Sequence, residues 1–315
     1  MTEPNGNWER ELVTKLASSA LREQRRARLW GIFFRLLTFA YITFILLSVY
    51  DWRGRADMGG GKKHTAMVEL NGLIAPGNDA SAENINAALQ AAFKDRNTQG
   101  VILKINSPGG SPVQSQTIYD EMKRLRKKYP EIPLYAVVED ICASGGYFVA
   151  SGADRIYVTK SSIVGSIGVL MNGFGFTGLM DKLGVDRRLI TAGENKGMLD
   201  PFSPINPRDV EHAREMVNDI HQQFISVVRE GRGKRLKETP DMFTGLIWTG
   251  QKSIELGLAD GLGTLDSVAR DVIKADEIVD YSRKENIAEK FARRFGVAAA
   301  NTVVEALLRS SPMLR

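Results

Sequence analysis

Apolar and polar positions along this chain switch repeatedly between a strand period and a helix period. Strand-like runs occupy residues 64–74, 100–107, 132–140, 154–160 and 185–193. Helical patterns occupy residues 81–95, with Ser81 as a candidate N-cap, then 112–129, 175–184 and 207–233, and a further helix is expected to begin near Gly145. Alternating strands and helices predict an α/β fold with a largely parallel sheet.

One apolar block is far longer than the others. Residues 29–50 are apolar apart from Arg35 and a few hydroxyl side chains, and this length suffices for a helix to cross a bilayer of about 30 Å. The preceding residues 22–28 contain four arginines, which predicts a cytoplasmic N-terminus and translocation of the chain after residue 50. A cleaved signal peptide is the competing interpretation, but its apolar region would span about 7–15 residues. We therefore favour an uncleaved anchor.

The remaining blocks define the predicted organisation of the chain. Residues 1–28 are a polar cytoplasmic tail, residues 29–50 the anchor, and residues 51–64 a linker rich in glycine and charge. A single folded domain is expected over residues 65–283. The last segment, residues 284–315, has an amphipathic pattern, for which packing on the domain or on a neighbouring subunit is favoured over binding to lipid head groups.

Composition narrows the function classes. The chain is 43% hydrophobic and 25% charged with a net charge of +5, an ordinary globular composition. Basic residues do not form a stripe interleaved with aromatic ones, so nucleic acid is not an expected partner. Cys142 is the only cysteine, which excludes a disulfide framework and a cysteine-rich metal site.

The first candidate motif is INSPGGSP, residues 105–112. It lies between a predicted strand and a predicted helix, and its glycines allow positive φ angles or a close approach of the backbone. Unpaired amides at such a corner can bind an anion, including the oxyanion of an acyl-transfer intermediate. A plain tight turn explains the motif equally well.

The second motif is CASGGY, residues 142–147, which also follows a strand and begins a helix. A serine at this corner would hold its Oγ at the edge of the sheet beside the Gly145 amide, as in a nucleophile elbow. The G-x-S-x-G pattern is absent, because residue 142 is cysteine. Taken alone, Ser144 is explained more simply as the N-cap of the helix.

Such a serine needs a base, and the three histidines are poorly placed. His64 lies in the predicted linker, and His212 and His221 lie on the long predicted helix, so a Ser-His-Asp triad is poorly supported. A lysine serves as a base where burial lowers its pKa. Lys196 is a candidate, since it lies among glycines and small residues in AGENKGML, residues 192–199.

Four motifs in order then define a family resemblance: NSPGG, ASGGY, VGSIGV (residues 164–169) and TAGENKGMLDPF (residues 191–202). Together they resemble the signal peptide peptidase A family, the Ser-Lys proteases of the ClpP/crotonase superfamily, over about residues 65–275. Each motif alone is weak, but the ordered set is highly specific. The resemblance implies a ClpP/crotonase-like arrangement of the strand–helix units.

The resemblance also implies roles for particular residues. Ser144 matches the nucleophile, Lys196 the general base, Ser166 the serine that orients the lysine, and Gly110 a donor of the oxyanion hole; we add Gly145 on geometric grounds. Short members of the family form octamers in which a neighbouring subunit supplies the lysine, so a homo-oligomer with active sites at subunit interfaces is expected. The double-length members carry two tandem domains, whereas this chain has one.

The expected function is that of an endopeptidase in the bacterial inner membrane, with its protease domain in the periplasm. Remnant signal peptides and other extended peptides are the expected substrates. A crotonase-like acyl-CoA enzyme conflicts with the translocated domain, because CoA is cytoplasmic. The presence of Ser144, Lys196 and Ser166 together argues against a non-catalytic scaffold, while a sibling membrane peptidase with other substrates stays open.

A glycine motif in the second half of the chain suggests a nucleotide cofactor at first sight. Residues 173–178, GFGFTG, match the dinucleotide pattern G-x-G-x-x-G, but they occur late in the chain rather than in a first strand–helix turn. No cofactor and no metal are therefore expected.

Overall fold

The computed structural model describes residues 14–15, 24–26, 28–44 and 62–282. It divides the chain into two compact units, Met1–Lys62 and Lys63–Arg315. Most of the predicted cytoplasmic tail and linker, the end of the predicted anchor (residues 45–50) and the amphipathic segment 284–315 lie outside the described residues.

The first unit contains helix α1, Gln24–Phe44, with 21 residues and a mean hydropathy of 1.2. Among the described residues it is the one helix long and apolar enough to cross a membrane, a test that a signal sequence near an N-terminus also passes. It begins five residues before the predicted anchor, and large apolar side chains such as Trp30 and Phe39 are exposed along it.

The second unit is built on one mixed sheet, which confirms the predicted α/β class. Its order is β6-β5-β3-β2-β1-β8, with β4 paired to β3 and β7 paired to β4. All pairs are parallel except β5 with β6. The strands are β1 His64–Asn71, β2 Thr98–Ser107, β3 Leu134–Ala143, β4 Arg155–Val158, β5 Ile163–Gly165, β6 Ile247–Thr249, β7 Gly261–Leu262 and β8 Ile278–Asp280.

The helices of the second unit lie between these strands along the chain. They are α2 Ala82–Lys94, α3 Pro112–Lys128, α4 Gly145–Ala150, α5 Thr177–Leu183, α6 Pro207–Arg232, α7 Gly250–Glu255 and α8 Leu265–Ser267. A 3-10 turn, Gly233–Arg235, follows α6, and a π-helical turn, Val268–Ile273, follows α8.

Alternating positions of the central strands separate two cores. One face of β1, β2 and β3 packs against α2 and α3 and contains fully buried side chains such as Val68, Leu103 and Ala136. The opposite face is covered by the turn after α8, where Ile102 and Val137 pack with Val268. The strands are therefore buried on both sides, as parallel strands generally are.

Local signals explain where the helices begin. Ser111 caps α3 by accepting a hydrogen bond from the Gln114 amide, and Pro112 fills the first helical position, where no amide hydrogen is needed. Ser81 is the N-cap of α2, but its side chain makes no capping bond. The Ala82 amide instead donates to Gln114 Oε1 at 2.9 Å, so α3 completes the start of α2.

Two sequence-based assignments differ from the structure. His64 is 1% exposed and is the first residue of β1, which agrees with the strand-like run 64–74 but not with the predicted linker 51–64, so the linker ends before His64. The strand predicted over residues 185–193 is wrong, since these residues form no regular element. It contains strand-favouring residues such as Val185 and Ile190, but no described strand pairs with it, and an isolated strand has no ladder of hydrogen bonds to stabilise it.

A buried ion pair fixes the end of α6 against the sheet. Arg232, 1% exposed, donates from Nη1 to Asp260 Oδ2 at 2.8 Å and from Nε to the Gly257 carbonyl at 2.8 Å. The same carboxylate accepts from the Ile156 amide of β4 at 2.7 Å. These contacts join three elements: the end of α6, strand β4, and the loop that precedes β7. They lie close to α4, which carries Ser144 at its N-cap.

Candidate active site

Ser144 lies where β3 ends and α4 begins. Its amide donates to the Gly165 carbonyl at 2.9 Å, and its carbonyl accepts from the Phe148 amide at 2.9 Å. Its φ of 51° and ψ of −124° are costly for a residue with a side chain. Although Ser144 is the N-cap of α4, its hydroxyl makes no capping hydrogen bond. The Oγ is therefore held by a strained backbone without being used for capping.

The loop after β2 packs directly against this serine. Gly109 has φ 100°, and a Cβ on it would lie 2.6 Å from the Gly145 nitrogen and 2.8 Å from the Ser144 Cβ. Only glycine can approach the corner this closely. The Ser107 hydroxyl holds the loop by donating to the Gly72 carbonyl at 2.6 Å and accepting from the Gly109 amide at 3.1 Å.

Gly110 is fixed from the other side by Ile74. The Ile74 amide donates to the Gly109 carbonyl at 2.9 Å, and the Ser111 amide donates to the Ile74 carbonyl at 2.8 Å. The N–H of Gly110 takes no part in this bridge. A Cβ on Gly145 would lie 3.2 Å from the Gly110 nitrogen, so the two predicted oxyanion donors belong to neighbouring backbone segments.

Ser166 directly follows β5, as Ser144 directly follows the adjacent strand β3. Ala143 pairs with Gly165 at the end of the β3–β5 ladder, and Ser144 and Ser166 are the residues that come directly after this pair. Ser166 has φ 52°, and its amide donates to the Leu246 carbonyl at 2.7 Å. The structure thus brings together four of the five predicted site residues: Ser144, Ser166, Gly110 and Gly145.

Lys196 is the predicted site residue that does not join them. It is exposed and lies in residues 169–206, here called the arm, none of which is buried. Its amide donates to the Gly193 carbonyl at 3.1 Å. Within residues 62–282, no hydrogen bond links its side chain to Ser144 or Ser166.

The arm exposes large apolar side chains. The exposed fractions reach 95% at Ile190, 81% at Phe174, 80% at Leu170 and 74% at Ile205. Between the arm and the first half of α6 lies a cavity of about 700 Å³ lined by residues such as Phe174, Leu199 and Val210. An apolar surface of this kind is typical of an interaction site.

Two contacts near the site were not foreseen from the sequence. His221 on α6 lies with Nε2 3.2 Å from the carbonyl of Ile167, the residue after Ser166, so α6 contacts the loop that carries Ser166. Asp200, four residues after Lys196, accepts hydrogen bonds from Ser203 and Arg187. The spacing of Arg187 and Asp200, 13 residues apart in an irregular segment, carries no sequence signal that could have paired them.

Cys142 lies two residues before Ser144 and is fully buried. It pairs with Val164 of β5 on one side and with Ser107 of β2 on the other. Burial raises the pKa of its thiol well above the ordinary value of 9.0, so the thiolate that a nucleophile requires is not available. Cys142 packs in the core while the neighbouring serine faces the site.

Sequence comparisons place the chain among proteases. The sequence model of peptidase family S49 matches residues 126–278, and that of the Clp proteases matches residues 67–164. A candidate protease of Methanocaldococcus jannaschii is 35% identical over 244 residues, covering 73% of this chain and 78% of that protein. A candidate signal peptide peptidase SppA of Enterococcus faecium is 29% identical over 232 residues, covering 71% of this chain and 67% of that protein.

A more similar relative carries a different name. A Brucella abortus protein named as a Na⁺/H⁺ antiporter, NhaA, is 43% identical over 209 residues, or 65% of this chain. The match spans only 28% of the length of that protein. Most of the protein that carries the antiporter name therefore lies outside the similar region.

Proposed function

The chain belongs to peptidase family S49, and from this premise we propose that it is a membrane-anchored serine endopeptidase with a Ser144–Lys196 dyad. The observation that carries the proposal is the corner at Ser144. A strained serine with an uncapped hydroxyl lies against the glycine loop that carries Gly109 and Gly110. This is the arrangement that acyl transfer requires of a nucleophile and its oxyanion donors.

The proposed reaction proceeds through an acyl-enzyme. Lys196 takes the proton of the Ser144 hydroxyl as Oγ bonds to the carbonyl carbon of the peptide. The amides of Gly110 and Gly145 then donate to the oxyanion. The C–N bond breaks, and the leaving amine receives the proton from Lys196. Water, deprotonated by the same lysine, attacks the ester, and the proton returns to Ser144.

Ser166 has a supporting role in this proposal. Its position one residue after the Ala143–Gly165 pair places it beside Ser144, where its hydroxyl would accept a hydrogen bond from the lysine and orient it. The backbone bond from the Ser166 amide to the Leu246 carbonyl fixes this position independently of the lysine.

The separation of Lys196 from this corner supports a homo-oligomer. We infer that Lys196 of one subunit completes the site of its neighbour, in an octamer as the family resemblance implies. The exposed apolar side chains of the arm would be buried in that contact, because a monomer would otherwise leave a large apolar surface in water.

Helix α1 supports the proposed location in the bacterial inner membrane, with the N-terminus cytoplasmic and the protease unit in the periplasm. The arginines that precede the apolar residues favour this orientation. The anchor would keep the site near the membrane, where remnant signal peptides remain after export. These and other extended peptides are the proposed substrates.

The chemistry is tested with the full-length chain in detergent, a fluorophosphonate probe and a fluorogenic peptide. We expect the parent to be labelled and to hydrolyse the peptide, and Ser144→Ala to lose both. Lys196→Ala should lower kcat by about 10³-fold or more, because the dyad acts as a unit. Hydrolysis that survives in both variants would contradict the dyad and favour a scaffold with a contaminating activity.

The shared site is tested by mixing the two inactive variants before assembly. In a randomly mixed ring, about a quarter of the interfaces would pair an intact Ser144 with a neighbour's intact Lys196. We therefore expect about a quarter of the parent activity from an equal mixture. No regain of activity would assign both residues to the same subunit.

A further inference from the structure

The lysine loop, residues 193–200, holds itself together by short-range bonds. The amides of Lys196, Met198 and Asp200 each donate to the carbonyl three residues earlier, at 3.1 Å. These bonds shape the loop, but they do not connect it to the rest of the arm. The direction in which the Lys196 side chain points must therefore depend on contacts between the lysine loop and the rest of the arm.

Asp200, the last residue of the lysine loop, makes that connection. Its side chain is 11% exposed, which is low for a segment without a buried residue. Oδ2 accepts from Ser203 Oγ at 2.7 Å and from Arg187 Nε at 3.2 Å, while Oδ1 accepts from the Phe202 amide at 3.5 Å. The Ser203 hydroxyl and Arg187 hold the pKa of this carboxyl below its ordinary value.

Aromatic contacts reinforce the same connection. The Arg187 guanidinium lies 5.9 Å from the centre of the Phe202 ring, close enough for a cation–π interaction. Phe202 stacks on Phe176 at 5.4 Å, and the Phe176 amide donates to the Pro201 carbonyl at 2.7 Å. Phe176 is the N-cap of α5, so Asp200 and its neighbours join the lysine loop to a helix.

The lysine loop contains one residue in a costly backbone conformation. Leu199, between Lys196 and Asp200, has φ 57°, a conformation that costs a residue with a side chain about 1–2 kcal/mol. Such a residue persists where its surroundings fix the backbone on either side. A Cβ on Gly197 would also lie 2.8 Å from Leu189 Cδ2, so the loop approaches the Leu189 side chain closely at this point.

We propose that Asp200, clamped by Arg187, is a positioning residue that fixes the direction of Lys196 toward the serine it serves. This inference rests on the proposed function and deepens it. Asp200 does not touch the peptide or the reacting atoms. It acts through the backbone between itself and Lys196, so its loss should slow the proton transfer while leaving peptide binding intact.

The test is Asp200→Asn in the full-length chain, which keeps the size of the side chain and removes its charge. We expect kcat to fall about tenfold to a hundredfold and KM to stay within about twofold. Arg187→Gln should show the same pattern. The double variant should be no slower than the slower single variant, because both changes break one contact. Asp200→Glu should recover part of kcat by restoring the charge.

Asp181→Asn is the matched control. Asp181 is an acidic residue of the same arm, and its side chain makes no hydrogen bond within the described residues. The kcat of this variant should equal that of the parent. Additive losses in the double variant, or a parent-like kcat in Asp200→Asn, would overturn the positioning role. So would dissociation of the Asp200→Asn oligomer in size-exclusion chromatography. If Ser144→Ala and Lys196→Ala abolish hydrolysis while Asp200→Asn keeps the kcat of the parent, only this inference fails.

Discussion

The serine corner, residues 107–110, 143–146 and 165–166, and the arm that carries Lys196 are built in opposite ways. The corner is stabilised by long-range bonds between separate segments, such as that from the Ser144 amide to the Gly165 carbonyl. The arm has no buried residue, and its bonds are mostly local. The proposed nucleophile and oxyanion donors are therefore positioned by the fold of one chain, whereas the proposed base lies on an exposed, largely apolar surface.

Because of this difference, the same kind of substitution should have very different effects on the free energy of unfolding in the two regions. The expected effects decrease from the corner, through the buried ion pair below it, to the surface of the arm.

The largest effect is expected from Gly110→Ala. The added Cβ would lie 2.1 Å from the Ile74 carbonyl oxygen, at a φ of 151°, and neither backbone segment can move away easily. We expect a loss of about 3 kcal/mol or more in the free energy of unfolding together with loss of hydrolysis. Chemical denaturation and the peptide assay measure the two effects.

Gly178→Ala in the arm is its control, because nothing lies within 4 Å of the position where the Cβ would be added. In helix α5 this change should be neutral or stabilising by up to about 1 kcal/mol. Equal losses in the two glycine variants would remove the distinction between corner and arm.

A smaller loss is expected from Asp260→Asn beneath the corner. The change leaves Arg232, which is 1% exposed, without its charged partner. Breaking a buried pair costs about 3 kcal/mol, and we expect a loss below this figure because the Asn carbonyl oxygen can still accept a hydrogen bond. Asp271→Asn is the comparison, since its pair with Arg270 is exposed at 58% and 61% and such pairs contribute less than about 1 kcal/mol. Thermal unfolding of both variants at neutral pH ranks them, and similar melting temperatures would contradict the prediction.

Acid should remove the stabilisation that the Asp260–Arg232 pair contributes. Burial alone would raise the pKa of Asp260, but the hydrogen bonds and charge of Arg232 outweigh it, so the pKa lies below the ordinary value of 3.8. A carboxyl with a lowered pKa stabilises the fold above its unfolded pKa and loses that effect as pH falls through the folded pKa. The parent should lose stability below about pH 4 more steeply than Asp260→Asn. Parallel melting curves for the two proteins as the pH is lowered through this range would show that Asp260 is not responsible.

The smallest effect on unfolding is expected from Ile190→Ser in the arm. Its side chain is 95% exposed, so the free energy of unfolding should change by less than about 0.5 kcal/mol. Assembly should weaken instead, which sedimentation velocity at decreasing protein concentration would show. A destabilised monomer with an unchanged oligomer would mean that Ile190 packs within its own chain.

The corner and the arm also differ in how far local sequence determines their structure. Local patterns of a few residues were enough to predict the α/β class and the parallel sheet. They also predicted the strand–glycine–helix corners around Gly110 and Ser144. The strand predicted over residues 185–193 was wrong, because local strand propensity says nothing about whether a partner strand is available.

The pairings that hold the site together were not predictable. Arg232 and Asp260 are 28 residues apart, and Ile156, whose amide shares the same carboxylate, is 104 residues from Asp260. Contacts of this kind depend on the completed sheet and leave no spacing in the sequence. The proposed partner of Lys196 lies beyond a single chain altogether, and only the resemblance to a known family pointed to it.

The buried thiol of Cys142 gives the corner a built-in reporter. As the only thiol in the chain, enclosed between β2 and β5, it can react with an alkylating reagent only when those strands separate. The rate of its modification under native conditions would therefore measure how often β3 separates from β2 and β5. If a peptide inhibitor slows that reaction, the decrease in rate measures how much a bound peptide stabilises the site. No measurement of turnover is needed.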